Sequence, residues 1–485
     1  MSQLHSTQVL GTRVSYAGSL VRRLDAVWNW AGEQFVTLSL GSSRLPKAAV
    51  LRALSGIVHG RLTVEAVNGD IHVFGDAQSL RSVTLRVRND TFWRRLLFFN
   101  DLGFAESYMN GEIDCDDVSA LLQLVIANKK ALDANFGSLT ANILGLGRKL
   151  TEYKFLGDPA TSGANISAHY DLGNLMFQNM LSEDMCYSSA IFLDYTEDLE
   201  KTAELCETLE AAQMRKMKHL ITRLNIQPGH RVLEIGAQPV RGWGTLAILI
   251  AGTVDCTVDT VTLSGEQRDL ATARIAAAGL SDRITVHYMD FRRCRDNAEW
   301  ASAFDRFVSV EMIENVGREF IEEYWAITDW AMKPCEAIGV VQVITMPEAR
   351  IPTYDRSGAD FVQKWASSIL RIFPGGYIPS FCFLVETMNR GTAGRLTVDS
   401  VTNIGPHYAR TLREWKRKFP PQLGRHDCAC ARREVCPRRS RARGVPTQVD
   451  LDYCEAGFAT RSLGDHVITF TREGNVEFGC DFKAM

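Results

Sequence analysis

The chain has 485 residues, a formal net charge of −3, 46% hydrophobic and 23% charged residues. That length suits two or three domains, each with its own core, and the near balance of charge excludes a global electrostatic pull toward nucleic acid. No run approaches the roughly 18 apolar residues of a membrane-spanning helix, and the start MSQLHSTQVL is too polar for a secretory signal. The twelve cysteines are therefore expected as free thiols in a cytoplasmic protein.

Early in the chain, Leu24 to Gly32, with Trp28 and Trp30, carries a helical signal. From Gly60 the pattern turns to strands. Leu62, Val64 and Ala66 alternate with polar residues, Asn68-Gly69-Asp70 is a hairpin signal, and Ile71, Val73 and then Val83, Leu85, Val87 resume the alternation. Thr91 to Asn100 reads as an amphipathic helix in which Phe92, Trp93, Leu96, Leu97 and Phe98 stand beside Arg94 and Arg95. Such a helix faces a core, or it meets lipid at the headgroup boundary. Helical runs follow at Val118 to Leu132 and Ala141 to Phe155, and Gly157, Pro159, Ser162 and Gly163 mark a linker. Residues 1–150 are thus expected to form a smaller α+β domain, a site of lipid or dimer contact, and residues 151–485 a second domain.

The second domain centres on Arg231 to Ala251, RVLEIGAQPVRGWGTLAILIA. A short apolar strand runs into a loop with Gly236, Gly242 and Gly244 and then into a helix. Glycine there lets backbone approach a ligand closely. The spacing is neither the dinucleotide GxGxxG nor a phosphate loop ending in GK[ST]. Downstream, strands at Cys256 to Leu263, Ile284 to Met289, Phe304 to Val310 and Val340 to Thr345 alternate with helices at Gly265 to Ala278 and Phe320 to Met332. This is a βαβ series, which predicts a doubly wound, mostly parallel α/β sheet with ligands at the carboxyl ends of its strands. Residues 420–449 depart from that series, with Cys428, Cys430 and Cys436 standing among many arginines and little apolar periodicity. A disordered segment is expected there. Cys428-x-Cys430 with Cys436 and His426 lacks the paired CxxC spacing of a zinc site, so no metal is expected. Basic residues without interleaved aromatics do not make a nucleic-acid surface.

Between the linker and the Gly-loop unit lies HYDLGNLMFQNMLSEDMCYSSAIF, from His169 to Phe192, and after the sheet series come VEMIENVG, FPGGYIPS, NIGPHYARTLREW and YCEAGF. HYDLGN with CYSSAIF, EIG…GWG, TLSGEQ, EMIENVG, FPGGYIPS, IGPHY and YCEAGF, in that order, resemble the cyclopropane-fatty-acyl-phospholipid synthase and mycolic acid cyclopropane synthase family. Its members are S-adenosylmethionine-dependent methyltransferases with a class I, Rossmann-like fold. Ala237 to Arg241 stand where the family pattern EIGxGWG has one residue. The resemblance implies transfer of the sulfonium methyl to a cis alkene of a phospholipid acyl chain at a membrane surface, with a carbocation deprotonated by bound bicarbonate. It implies cofactor contacts at Tyr187, Ser188, Glu234, Gly236, Gly242, Gly244, Thr262, Leu263, Ser264, Gln267, Asp290 and Phe291. It places Glu314, Tyr408, Ile344, Ser189 and Gln342 around the bicarbonate, with cysteine and histidine in better-known members at the last two, and Cys454 at an active-site position.

Overall fold

The computed structural model describes residues 44–79, 81–136, 180–236, 244–352, 354, 376–418, 444–476 and 478. The chain divides into two compact units, Met1–Asp116 with Lys130–Thr140, and Asp117–Lys129 with Ala141–Met485. The helical signals at Leu24 and at Ala141 to Phe155, the linker, His169 to Asp171, Gly242 and the cysteines at 428, 430 and 436 lie outside the described residues.

In the first unit, strands β1 (Arg61–Glu65), β2 (Ile71–Gly75), β3 (Ser82–Val87) and β4 (Ile113–Cys115) form a four-stranded sheet of order β2-β1-β3-β4. Leu62, Val64, Val83, Leu85 and Val87 alternate inward and are buried, the period-2 pattern of a sheet covered on one face. Helices α1 (Arg44–Leu54) and α2 (Thr91–Met109) belong to this unit, and α4 (Lys129–Phe136) follows α3 (Val118–Ala127) of the second unit. Phe92 and Trp93, read above as core-facing or lipid-facing, have no exposed surface. Trp93 Nε1 donates to Asp90 at 3.1 Å, and Arg95 bridges Glu106 at 2.8 Å and Glu112 at 3.2 Å. For these side chains the core-facing alternative holds, because an aromatic pair at the first helical turn packs inward and its neighbouring cation is neutralised in place.

In the second unit the strands β5 (Arg231–Ile235), β6 (Thr257–Thr262), β7 (Ile284–Tyr288), β8 (Arg306–Val310) and β9 (Ile338–Thr345) are parallel. Strands β10 (Leu396–Asn403) and β11 (Gly464–Arg472) run antiparallel, and the seven make a sheet of order β10-β11-β9-β8-β5-β6-β7. These are the doubly wound sheet and, within a residue or two, the strands that the alternating pattern predicts. Helices α5 (Leu209–Leu224), α6 (Thr245–Thr253) and α7 (Gly265–Ala277) pack Leu220, Leu224, Ile250 and Ile275 on one face. Helices α8 (Ile321–Ala331) and α9 (Phe381–Gly391) pack Ile321, Tyr324, Trp325, Leu384 and Met388 on the other. Truncating a core ring such as Trp325, 1% exposed, costs roughly 3–5 kcal/mol. Helix α10 (Gly405–Lys418) and α11 (Gly444–Ala459) complete the unit. α11 begins inside the stretch expected to be disordered, so residues 444–449 are helical.

Chain order runs β5, β6, β7 to one side and then returns to the other side of β5 with β8. The strand order therefore reverses between β5 and β8, and a crevice opens at their carboxyl ends, where ligands of such sheets bind.

Candidate active site

The β5 side of the crevice is made by local turns. β5 ends at Gly236, whose φ of 106° lies in the region glycine tolerates, and a Cβ there would stand 2.8 Å from the Met312 side chain. Only glycine lets the loops after β5 and β8 come this close. Gly244, φ 86°, opens α6. After β6, Thr262 Oγ1 donates to Gln267 Oε1 at 2.8 Å, and Ser264 caps α7 by accepting from Gln267 N. That fixes the turn carrying half-buried Leu263. After β7, Asp290 accepts from Arg292 N and holds the Arg292 guanidinium through both carboxylate oxygens, while Phe291 is buried. Glu234 is 2% exposed. Of the cofactor positions implied by the resemblance, Glu234, Gly236, Gly244, Thr262, Leu263, Ser264, Gln267, Asp290 and Phe291 thus lie at or beside three neighbouring strand ends. The buried hydroxyls of Ser309 and Thr260 find no partner among the described residues, and Ser309 Oγ lies 3.9 Å from where a Gly236 Cβ would be. An acid, amides and open hydroxyls at a glycine turn fit S-adenosylmethionine. Tyr187 and Ser188 sit on the segment before α5. Buried Lys216 of α5 donates to Ser188 Oγ at 2.7 Å and to Cys186 Sγ at 3.1 Å, Gln213 donates to Ser188 O at 2.8 Å, and Tyr187 packs on Trp415, centroids 4.9 Å apart. Burial pushes the Cys186 thiol up, so it stays protonated.

The β8 side is made by side chains from distant segments, and here the structure revises the expected roles. Glu311, the residue after β8, is 4% exposed. Its Oε1 accepts from Ser189 N at 3.0 Å and from Gln342 Nε2 at 2.9 Å, and its Oε2 accepts from Tyr408 OH at 2.9 Å. Three of the groups expected around a free anion thus converge on a carboxylate of the chain itself. The contribution of Ser189 is its backbone N–H, since its hydroxyl donates to Ala190 O. The N–H of Ile344 goes to Glu314 Oε1, so Glu314 and Ile344 pair with each other. Gln342 also donates to Asp465 Oδ2 at 2.8 Å. Asp465 of β11 is fully buried, and burial together with the Glu311 and Glu314 charges holds its carboxyl well above the usual range. Tyr408 is likewise pushed well above the ordinary phenol value by burial and by Glu311, so it remains a donor.

Sequence reading missed Glu311, Asp465 and Lys216. Glu311 was within reach: VEMIENVG carries two glutamates three residues apart, and only the second was assigned. Glu311 has φ 51°, a left-handed conformation costing a non-glycine residue roughly 1–2 kcal/mol, and such strain clusters at functional sites. Asp465 pairs in register with Ile344 across β9 and β11, a neighbour no motif spacing reveals.

Tyr408 stacks on Phe458, centroids 4.3 Å apart, within an apolar cluster that includes Phe192, Leu412 and Trp415, and half-buried Ile344 and Cys454 pack against it. Cys454 is thus a thiol in an apolar wall beside Tyr408. A cavity of about 610 Å³ opens beside this region, where Leu181, Met185 and Leu270 face Glu183, Arg274 and Lys418. That mixed lining is unlike the dry channel an acyl chain needs, and no substrate is assigned to it.

A family model described as mycolic acid cyclopropane synthetase matches residues 158–434. The chain is 33% identical over 393 residues to the tuberculostearic acid methyltransferase UfaA1 of Mycobacterium tuberculosis, covering 80% of this chain and 82% of that one. It is 31% identical over 336 residues to the cyclopropane-fatty-acyl-phospholipid synthase of Escherichia coli, covering 69% and 76%. The solved structure of the cyclopropane synthase MmaA2 from Mycobacterium tuberculosis matches with a TM-score of 0.50 at 22% identity, over 64% of this chain and 98% of that one, a likeness of fold. With the sheet, the glycine turn and these matches together, the chain belongs to the mycolic acid cyclopropane synthetase family of S-adenosylmethionine-dependent methyltransferases.

Proposed function

We propose that this enzyme places the methyl of S-adenosylmethionine on the cis double bond of an unsaturated phospholipid acyl chain and closes a cyclopropane ring. Bound S-adenosylmethionine supplies an electrophilic methyl on sulfur. An alkene is a weak nucleophile, so the protein must contribute proximity, a dry environment and one positioned base. The observation that carries this reading is the cluster of Glu311, Gln342, Ser189, Tyr408 and Asp465, each less than a tenth exposed, beside the glycine turn and walled by apolar side chains. Gly236 and the Thr262–Gln267 turn hold the cofactor. Tyr408, Gln342 and the Ser189 N–H hold the base.

A branched product, in which the added carbon does not close a ring, is the second reading, and the match to a tuberculostearic acid methyltransferase favours it. No helix among the described residues is long and apolar enough to cross a membrane. Because the proposed substrate lies in a bilayer, the proposed reaction has the enzyme dock on the bilayer surface and draw the acyl chain inward, through a face other than Phe92 and Trp93, which are buried. Expression in a bacterium that lacks cyclopropane fatty acids, followed by mass spectrometry of its lipids, tests the reading. Chains heavier by one methylene that resist mild alkene hydrogenation are expected. Heavier chains that take up hydrogen would favour the branched product, and an unchanged profile would refute both.

A further inference from the structure

The proposed reaction needs a base, and the resemblance assigns that part to bicarbonate held by Ser189, Gln342, Tyr408, Ile344 and Glu314. The structure does not fit a free anion there. The Ser189 N–H, the Gln342 amide and the Tyr408 hydroxyl all donate to Glu311, at 2.9–3.0 Å, and the Ile344 N–H donates to Glu314. We infer that the Glu311 carboxylate occupies the anion position and is itself the base that takes the proton, making the enzyme independent of bicarbonate.

Three observations carry this. The donors that would recognise a small planar oxyanion already surround a planar oxyanion fixed to the chain, and charged acceptors with several donors form strong hydrogen bonds. The backbone at Glu311 adopts φ 51°, a conformation that favours glycine, so a side chain is carried at a strained position. Burial and the Glu311 charge raise both Asp465 and Tyr408, and all three donors address Glu311.

The inference rests on the proposed acyl-chain methylation for its chemistry. When the alkene pair forms the new carbon–carbon bond and the carbon–sulfur pair stays with sulfur, the acyl chain carries a cation. Glu311 then removes a proton from the added methyl, the C–H pair forms the third side of the ring, and Glu311 ends as the neutral acid with Tyr408 and Gln342 still in place.

The test uses the full-length enzyme, Glu311→Gln and Glu311→Gly, in buffer stripped of carbon dioxide and with bicarbonate added back. Wild type is expected to turn over at the same rate in both buffers. Glu311→Gly, which relieves the backbone and vacates the cradle, is expected to lose about 10²-fold or more without bicarbonate and to recover at least tenfold with it, while Glu311→Gln stays low in both. Each variant's cofactor affinity and melting temperature report whether it is folded. A second arm follows ¹³C-bicarbonate by NMR: broadening with Glu311→Gly and none with wild type is expected. Wild-type turnover that requires bicarbonate, wild-type binding of it, or full activity of Glu311→Gln would overturn the inference. If wild type methylates no unsaturated lipid in either buffer, the proposed function fails, and the NMR arm still decides which carboxylate fills the cradle.

Discussion

At the carboxyl ends of β6 and β7 the side-chain hydrogen bonds span a few residues of chain: Thr262 reaches Gln267 five positions away, and Asp290 reaches Arg292. Beyond β8 and β9 the contacts are long: Ser189 to Glu311 spans 122 positions, Gln342 to Asp465 spans 123 and Tyr408 to Glu311 spans 97. The first half is a set of independent turns, and the second is one buried network whose members depend on each other. Losing a turn should weaken binding of the cofactor. Losing a network member should stop chemistry while leaving the cofactor bound.

The largest effect that contrast predicts is at Glu311. Turnover of Glu311→Gln should fall about 10²-fold or more, the range for a lost positioned base, with cofactor affinity nearly unchanged in a calorimetric titration. Glu314→Gln should lose only about tenfold, because the amide oxygen can still accept from Ile344 N and no base is removed; equal losses at both positions would erase the difference between the two glutamates.

Next comes Gly236→Ala. It forces a Cβ toward Met312 at 2.8 Å and a side chain into φ 106°, strain of roughly 1–3 kcal/mol, which is about five- to 150-fold in cofactor affinity if the loop shifts to relieve it. Unaltered affinity would remove the turn from the cofactor site.

Gln342→Leu should destabilise the fold by about 1–3 kcal/mol, since Glu311 and Asp465 each lose a donor in a buried place. Chemical denaturation measures this, and a variant as stable as wild type would show the network to be dispensable for folding.

The smallest effect concerns His407, whose Nδ1 accepts from Phe192 N at 3.1 Å. Burial first, then Arg215 and Arg410, depress its pKa to about 4. The unfolded chain binds the proton near 6.5 and the folded chain does not, so stability present above that value is lost as pH falls through the window from about 6.5 to about 4. Melting temperature should drop by a few degrees over that window, and less in His407→Gln, whose amide oxygen accepts the same bond at every pH. Identical profiles would exclude His407 as the group responsible.

The same contrast explains what the sequence made legible. Gly236, Thr262, Ser264, Gln267 and Asp290 stand at strand ends, where glycine turns and caps are written in neighbouring residues, and the strands β5 to β9 were legible because their apolar runs are contiguous. The roles in the acid cluster were not readable. Ser189, Gln342 and Tyr408 were recognised as belonging together, yet both glutamates of VEMIENVG are buried, and which of the two these donors surround depends on the backbone at Glu311, with its φ of 51°. Asp465 stood in no motif, and its partner was set by the register of β11 on β9. Phe92 and Trp93 show the converse: their composition suited a membrane surface, and burial in a small domain used it for a core.

The most direct test of the mechanism follows the carbon that moves. Cells expressing the enzyme are fed methionine bearing a fully deuterated methyl group, and the modified acyl chains are weighed. Transfer of the whole methyl followed by removal of one of its hydrogens by the base predicts products that keep two of the three deuteriums. Products that keep all three, or none, would contradict it, the first by placing the lost proton elsewhere and the second by denying that the methyl comes from the cofactor.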